Sequence, residues 1–223
     1  MIYFGVVLTL LSYFLGIYIH KKTKLIIMNP LLIAILFVII ILLSFNIEYE
    51  IYNSSAKYIS YFLTPATISL AIPLYKQIHL LKKNIKAIIL GILSGVLSSL
   101  TSVLAFSYLF MFTHEEYVTF LPKSITTAIG MGVVEELGGY VSIAVASIII
   151  TGIIGNIFAV KILSLARVHH PISKGLAIGC ASHAIGTTKA MEIGEVEGAM
   201  SSLAIVVSGL ITVIGASLFS MLF

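Results

Sequence analysis

Charged residues are scarce in this chain of 223 residues: they make up 10% of it, whereas 59% of the residues are hydrophobic. Soluble domains carry about a quarter charged residues, so this composition excludes an ordinary soluble globular domain. The single cysteine, Cys180, excludes an intrachain disulfide and a thiolate metal cluster. We expect Cys180 to be a small packing residue at a helix contact.

The motifs of several enzyme classes are also absent. The sequence contains no G-x-S-x-G elbow, no H-E-x-x-H zinc motif and no phosphate-binding P-loop. No acidic residue lies in an apolar run beside a histidine, as a metal site would require. We therefore predict no enzymatic activity, no metal site and no cofactor.

What the chain has instead is a series of long apolar runs. Each is close to the ~20 residues that a helix needs to cross the ~30 Å hydrocarbon core of a bilayer. They are too long for barrel strands and do not alternate with a period of two. The runs cover 2–19, 25–45, 57–75, 87–112, 141–164, 172–188 and 199–223. They predict an all-α integral membrane protein whose first helix, 2–19, is retained rather than cleaved as a signal peptide.

The charges in the connectors alternate in sign along the chain. Basic loops stay cytoplasmic, so the net charge of +4 is explained by topology and by contact with anionic lipid, and it does not predict nucleic acid binding. The basic connectors carry Lys21, Lys22 and Lys24, then Lys76, Lys82, Lys83 and Lys86, then Lys161, Arg167 and Lys174; the acidic ones carry Glu48 and Glu50, then Glu115 and Glu116, then Glu192, Glu195 and Glu197. This alternation predicts an N-terminus outside the cell and a C-terminus in the cytoplasm.

The segment 120–139, FLPKSITTAIGMGVVEELGG, would break this alternation if it crossed the membrane. It contains Pro122, several hydroxyls and the helix breakers Gly138 and Gly139. Re-entrant backbone is stable at membrane depth only where it is buried in protein or lines a cavity. We therefore predict about seven spanning helices plus one re-entrant element, 120–139, that enters and leaves on one side and borders a cavity.

Two of the apolar segments are poor continuous helices. FLTPATISLAIPL, 62–74, carries two prolines, and we expect a break near Pro65 because proline removes a helical hydrogen bond. CASHAIGTTKAMEIGEVEG, 180–198, contains glycines and hydroxyls at the corresponding place in the second half. Interrupted helices at matching places in two halves are typical of a transporter binding site.

These matched breaks predict an inverted repeat. The halves would be 25–112 and 141–223, each of three helices, with opposite orientations in the membrane because three crossings reverse the side. Both halves would belong to one membrane domain, 1–223. The direct sequence match between the halves is weak, so the repeat is inferred from the pattern of breaks.

Ionisable residues within the apolar segments are costly and therefore candidates for function. A lysine beside the positive ends of two half-helices suits a small carboxylate. Lys123 would either bind this anion or extend to the membrane interface. Lys189 would either bind it or pair with Glu192. His183 would contact substrate, couple protons or be a neutral ring bonded to a carbonyl. Glu136 would either form an interfacial pair with Glu135 or have a proton- or cation-linked role.

Four stretches of the sequence together resemble the LrgB/CidB family of bacterial membrane proteins. They occur in the family's order across nearly the whole chain: FLTPATISLAIPLYKQ at 62–77, FLPKSITTAIGMGVVEELGG at 120–139, TGIIG at 151–155 and GLAIGCASHAIGTTKAMEIGEVEGAMSSLA at 175–204. The resemblance implies antiholin-like or holin-like proteins linked to murein hydrolase control, autolysis and programmed cell death. It also implies a smaller LrgA/CidA-type membrane partner, and a plastid relative exports glycolate and glycerate.

The resemblance selects the residues that we expect to form the substrate site. These are Thr64, Pro65 and Thr67, then Lys123, Ser124, Thr126 and Thr127, then Ser182, His183, Gly186, Thr187 and Lys189, with His183 and Glu136 as candidates for proton coupling. Ala128, Ala184 and Thr188-Lys189 depart from the family pattern, which bears on substrate identity.

Two functions follow as hypotheses. The first is a secondary transporter of small organic anions of the pyruvate, glycolate or glycerate type, working by alternating access in the bacterial inner membrane, with a homodimer as its expected assembly. The second is an antiholin-like regulator that binds the LrgA/CidA-type partner without carrying substrate. A passive pore made by this chain alone is the least favoured.

Overall fold

The computed structural model describes residues 3–25, 28–69 and 71–223, except for the side chains of residues 63, 64 and 67. All regular secondary structure in these residues is helical. The chain forms two compact units, Met1–Ser69 (unit 1) and Leu70–Phe223 (unit 2), which are described separately. The single membrane domain expected over 1–223 therefore stays a prediction.

Unit 1 contains four of the helices. They are α1 Phe4–Thr23, α2 Pro30–Ser44, α3 Tyr49–Ser60 and α4 Leu63–Ser69. α2 begins where the Asn29 side chain accepts hydrogen bonds from the backbone of Leu31 and Leu32. α1 packs closely on α3, where the Gly5 N–H donates to Ser55 Oγ at 2.7 Å. The apolar run 57–75 is interrupted between α3 and α4, which agrees with the break expected near Pro65; that proline lies in the first turn of α4, where proline is tolerated.

Unit 2 contains the remaining helices. They are α5 Ala71–Lys76, α6 Ile78–Lys83, α7 Ile85–Phe110, α8 His114–Phe120, α9 Thr127–Glu136, α10 Val141–Leu165, α11 Pro171–Ile193 and α12 Glu195–Phe219, followed by a 3₁₀ turn, Ser220–Leu222. The core forms along one stripe of α7, whose residues Ile88, Ile92, Val96 and Leu100 recur every four positions and are at most 4% exposed. α8, α11 and α12 pack on this stripe.

Four helices among the described residues are long and apolar enough to cross a membrane. They are α1, α7, α10 and α12 extended through the 3₁₀ turn. α2 is apolar but has 15 residues, which span about 22 Å at 1.5 Å per residue. By length and composition the chain is therefore a helical membrane protein.

The two ends of the segment 120–139 lie close together. It contains the end of α8, a non-helical stretch and α9, whose ten residues span about 15 Å. At its base the Tyr140 N–H donates to Thr119 Oγ1 at 2.8 Å. An added Cβ at Gly139 would lie 2.8 Å from the same oxygen. This hairpin geometry is the one that a re-entrant element requires, and we call residues 120–139 the first hairpin.

α11 is also a hairpin, because its backbone turns at His183, where φ is 42° and ψ is −141°. An added Cβ at Gly186 would lie 3.1 Å from Ile178 Cγ2, whereas eight residues of straight helix span about 12 Å. Ile178 and Ala190 belong to one buried cluster, although twelve residues separate them. The interruption predicted for 180–198 is thus present, and it reverses the chain. We call residues 171–193 the second hairpin.

This reversal corrects the predicted topology. The run 172–188 was expected to cross the membrane, but the turn at His183 returns it to the end from which it came. α12 then runs in the same direction as α7, since the Tyr108 hydroxyl near the end of α7 donates to the Leu222 carbonyl at 2.8 Å. The opposite directions required by the inverted halves 25–112 and 141–223 are therefore not observed for these two helices.

The position of the C-terminus follows from the same reversal. The Phe223 carbonyl lies 3.2 Å from His114 Nδ1, at the end of unit 2 that carries Glu115 and Glu116 and opposite the basic start of α7. A C-terminus beside the basic connectors, as expected from the charges, does not agree with this arrangement. The acidic connector 192–197 lies instead at the basic end, because the second hairpin returns there.

The glycine pairs at four-residue spacing act as packing contacts. An added Cβ at Gly179 would lie 2.5 Å from the Ser201 carbonyl oxygen of α12, and Gly175 is in closer contact with the carbonyl of Glu197. On α7, an added Cβ at Gly95 would lie 3.1 Å from Cys180 Cβ. Cys180 is 7% exposed, so its predicted role as a small residue at a helix contact is confirmed.

Candidate functional site

The tips of the two hairpins meet at one cleft within unit 2. Its volume is about 880 Å³, and α7, α10, α11 and the tip of the first hairpin form its walls. Eight hydroxyl side chains line it: Ser94, Ser98, Ser99, Ser102, Ser124, Thr151, Ser173 and Ser182. Among the described residues that line the cleft, Lys123 is the one charged side chain. The cleft is therefore a polar site with a single positive charge.

Lys123 lies at the tip of the first hairpin and contacts hydroxyls. Its Nζ is 3.3 Å from Ser99 Oγ and 3.4 Å from Ser124 Oγ, and these two oxygens are 3.1 Å apart. In the part of the chain that the structure describes, no carboxylate forms an ion pair with Lys123. Neutral hydroxyls solvate an ammonium group but do not neutralise it. The cleft thus retains a positive charge that an anion can balance.

The tip of the second hairpin is held against α10 by His183. The ring is 3% exposed, and its Nε2 lies 2.9 Å from the Ile148 carbonyl oxygen. A carbonyl only accepts, so Nε2 carries the proton in this bond. An added Cβ at Gly152 would lie 2.7 Å from His183 Cε1. The ring therefore packs where α10 has no side chain, and it makes the carbonyl bond named among the predicted alternatives; that the ring is neutral stays a prediction.

The neighbouring residue, Ser182, lines the cleft and is 3% exposed. An added methyl group at Gly155 would collide with its hydroxyl. The two glycines of the TGIIG motif, Gly152 and Gly155, thus admit His183 and Ser182 respectively. This contact gives the motif a physical role: it lets the hairpin tip approach the α10 backbone.

The returning arm of the second hairpin is fixed by buried hydroxyls. Thr187 Oγ1 donates to the His183 carbonyl at 2.9 Å and lies 2.7 Å from Ser201 Oγ of α12. Gly186 packs against Ser182, where a larger residue would not fit. On the other side, Asn156 Nδ2 donates to the Ile185 carbonyl at 2.8 Å. Gly186 and Thr187 therefore shape the hairpin from behind the cleft wall.

Other predicted site residues lie away from the cleft lining. Lys189 Nζ forms an ion pair with Glu192 Oε2 at 2.7 Å, which is the alternative partner named from the sequence. Thr126 and Thr127 are half-buried at the start of α9, and Glu136 is exposed at its end.

The first predicted break belongs to unit 1, so its residues are described apart from the cleft. Pro65 is exposed in α4. The side chains of Thr64 and Thr67 lie outside the described part of the chain. Of the predicted site residues, the cleft thus brings together Lys123, Ser124 and Ser182.

Sequence reasoning missed the serine face of α7. Gly91, Ser94, Ser98 and Ser102 recur every three or four positions, so they share one helix face. The periodicity was available in the sequence, but a stripe of small residues is also typical of a packing surface. The contact of Lys123 with Ser99 distinguishes a cleft lining from a packing surface. It joins residues distant in the sequence, so the sequence pattern does not show it.

Comparisons with known proteins agree with the resemblance found in the motifs. The model of the LrgB-like family matches residues 9–222. Antiholin-like LrgB proteins of Bacillus mycoides, Bacillus cereus and Bacillus anthracis are each 38% identical to this chain over 218 residues, covering 97% of it and 95% of the relative. No solved structure matches the chain.

Proposed function

This chain belongs to the LrgB-like family, and we propose that it is a secondary carrier of small organic anions of the pyruvate, glycolate or glycerate type. The observation that carries the proposal is the cleft between the two hairpin tips, with Lys123 as its charged lining residue. Helix interruptions that meet at a polar cavity are the usual binding architecture of secondary transporters.

The chemistry of the cleft supports a small carboxylate. A charged side chain at the bilayer centre costs about 2.5–3.5 kcal/mol on insertion scales, and a bound anion would offset this cost for Lys123. Ser99, Ser124 and Ser182 supply hydroxyls for the second carboxylate oxygen or for an oxygen on the neighbouring carbon. The volume of about 880 Å³ leaves room for such an acid together with water.

The two hairpins suggest how the carrier would alternate its access. Each hairpin brings one wall of the site from one end of unit 2, and α7 and α10 provide the other walls. Rocking of the hairpin tips against α7 and α10 would open the cleft first to one side and then to the other. His183 and Glu136 stay the proposed groups for proton coupling.

The membrane placement is part of the proposal. We place the chain as a multi-pass protein of the bacterial inner membrane, with the basic end of unit 2 in the cytoplasm. The C-terminus, beside His114, is then on the outer side, and the N-terminus stays proposed for the outside as well. A homodimer stays the proposed assembly.

Uptake into proteoliposomes tests the carrier. We expect radiolabelled pyruvate or glycolate to enter vesicles containing the purified chain, and an inward proton gradient to increase the rate if a proton is coupled. Lys123→Met should abolish uptake because it removes the charge of the cleft, whereas Lys189→Met should retain it because Lys189 is paired with Glu192. Equal uptake by the Lys123→Met and unsubstituted proteins would refute the site.

A second candidate function is favoured by the name of the relatives, antiholin-like protein LrgB. In this reading the chain restrains a small LrgA/CidA-type membrane protein and thereby controls murein hydrolase activity and autolysis. It predicts a complex with that partner, and a lysis phenotype that survives Lys123→Met. Loss of the lysis phenotype in Lys123→Met would instead connect the phenotype to the cleft. Uptake measured with and without the partner in the vesicles shows whether the partner is a subunit that the carrier requires or a protein that the chain regulates.

A further inference from the structure

We propose that the cleft is filled from the end of unit 2 that carries the basic connectors, and that Lys86, Lys161 and Lys174 form a positively charged entrance that guides small anions toward Lys123. The inference rests on the proposed function, since it concerns how the same cleft receives its anion. It assigns to these lysines a role in addition to setting topology.

The entrance is located by three residues that line the cleft at one end. They are Ala87 in the first turn of α7, Ile162 in the last turn of α10 and Ser173 in the first turn of α11. Each is the sequence neighbour of one of the three lysines, so its Cα lies 3.8 Å from the Cα of that lysine. The cleft therefore extends to the helix ends where the basic side chains begin.

Burial changes from one end of the cleft to the other. The three entrance residues are exposed, whereas Ser124 and Ser182 at the hairpin tips are 7% and 3% exposed. Ser94 and Ser98 on α7 lie between these ends and are exposed. The serine face of α7 thus connects the basic end of the cleft with the hairpin tips.

The opposite end of unit 2 is closed by packed side chains. Tyr117 and Val118 of α8 are 0% exposed, and Leu121 is 1% exposed. The Tyr117 hydroxyl donates to the Phe219 carbonyl at 2.8 Å, which ties α8 to the end of α12. This packing lies between the first hairpin tip and the acidic end of unit 2.

The charge at the open end is positive. Its basic side chains are Lys76, Lys82, Lys83, Lys86, Lys161, Arg167, Lys174 and Lys189, and its acidic ones are Glu192, Glu195 and Glu197. Glu192 is paired with Lys189. In the described part of the chain, none of the three entrance lysines is in an ion pair. A surplus of one sign at the mouth of a cleft raises the local concentration of counter-ions and their rate of entry.

Ser98→Cys in a Cys180→Ala background provides an exposed reporter inside the cleft that does not depend on transport. Cys180 is the only cysteine of the sequence, and it is replaced because it is buried against Gly95. Membrane-impermeant methanethiosulfonates that are anionic, neutral or cationic would be applied to inside-out vesicles and to intact cells. The ratio of the anionic to the cationic rate at one thiol measures the local potential.

The variants are Lys86→Gln, Lys161→Gln and Lys174→Gln together, and the same three positions changed to Arg as the control that keeps the charge. We expect labelling from the cytoplasmic side and a rate ratio well above one at low salt. The Gln variant should lower this ratio about three- to tenfold, and the Arg variant should not. High salt should remove the difference, since the Debye length falls to about 3 Å at 1 M.

The neutral reagent controls for changes in structure. Its rate should be the same in all variants; if the triple Gln variant alters it, the single substitutions are compared in its place. An unchanged anionic-to-cationic ratio in the Gln variants, or labelling from the outer side alone, would overturn the entrance.

The two proposals fail in different ways. Uptake that depends on Lys123, with no effect of the entrance lysines on the ratio of labelling rates, would support the carrier and refute the proposed entrance. A charge-dependent ratio without uptake would support the entrance and refute the carrier.

Discussion

The Lys123 ammonium lies 3.3 Å from the Ser99 hydroxyl oxygen, which joins the tip of the first hairpin to the middle of α7. Ser124, the next residue, lies 3.1 Å from the same oxygen. Two segments that are separate in the sequence thus supply the charge of the cleft and the hydroxyl that orients it. Ser99 is outside every motif that predicted the site, so its contribution is the sharpest test of the observed geometry.

Replacing Ser99 by alanine should weaken anion binding. The change removes one acceptor from the Lys123 ammonium, and a hydrogen bond of this kind contributes roughly 1 kcal/mol, or about a fivefold change in affinity. Ser98→Ala is the matched control, because Ser98 lines the cleft one residue away and its hydroxyl is not in the Lys123 cluster. Calorimetry with pyruvate or glycolate measures both. Equal losses for the two variants would show that Ser99 does not position Lys123.

Replacing Gly155 by alanine should destabilise unit 2. The added methyl group would occupy the place of the Ser182 hydroxyl, and overpacking of this kind costs about 1–3 kcal/mol. Gly132→Ala is the control, because an added Cβ at Gly132 has no atom within 4 Å; alanine is also the better helix former there. The thermal unfolding midpoint in detergent should fall for Gly155→Ala and not for Gly132→Ala. The reverse order would contradict the described contact.

At His183 glycine should be tolerated better than alanine. Both substitutions remove the bond to the Ile148 carbonyl, but φ at this position is 42°, a conformation that costs a residue with a Cβ about 1–3 kcal/mol. In an ordinary helix the order is opposite, since glycine is about 1 kcal/mol less favourable than alanine. The unfolding midpoints of the two variants compare them directly. A more stable alanine variant would indicate a continuous helix at this position.

A tag placed after Phe223 should be reached from the same side as the 113–116 loop. The reason is the contact between the C-terminal carbonyl and His114. Protease protection of the tag, beside the accessibility of a cysteine at Thr113 in a Cys180→Ala background, measures the two positions in one membrane preparation. Protection of one position with cleavage or labelling of the other would restore the cytoplasmic C-terminus expected from the charges.

The family and the class of protein could be predicted from the sequence because they depend on local and additive properties. Apolar run lengths identify membrane helices one segment at a time, and the order of the motifs identifies the family. The interruptions near Pro65 and around His183 were also predictable, since proline is disfavoured inside a helix and clustered glycines weaken one. The hairpin geometry of 120–139 agrees with what its helix breakers and the alternation of charge predict.

The direction of the second hairpin could not be predicted in the same way. A broken helix that crosses a membrane and one that returns have the same residues, and the acidic connector 192–197 favoured a crossing. The chain turns back at the place where His183 and Ser182 pack against Gly152 and Gly155 of α10. This contact joins two segments that are separate in the sequence, so no local sequence pattern indicates it.

The sequence by itself determined that this is a helical membrane protein of the LrgB-like family with polar interruptions in its apolar helices. The tertiary structure alone decided which of the polar residues meet. Lys123, Ser124 and Ser182 share a cleft, whereas Lys189 pairs with Glu192. The physical reason is that composition and the periodicity of apolar residues indicate whether a residue lies in a polar or an apolar environment. Which residue it contacts there depends on the packing of helices that are distant in the chain.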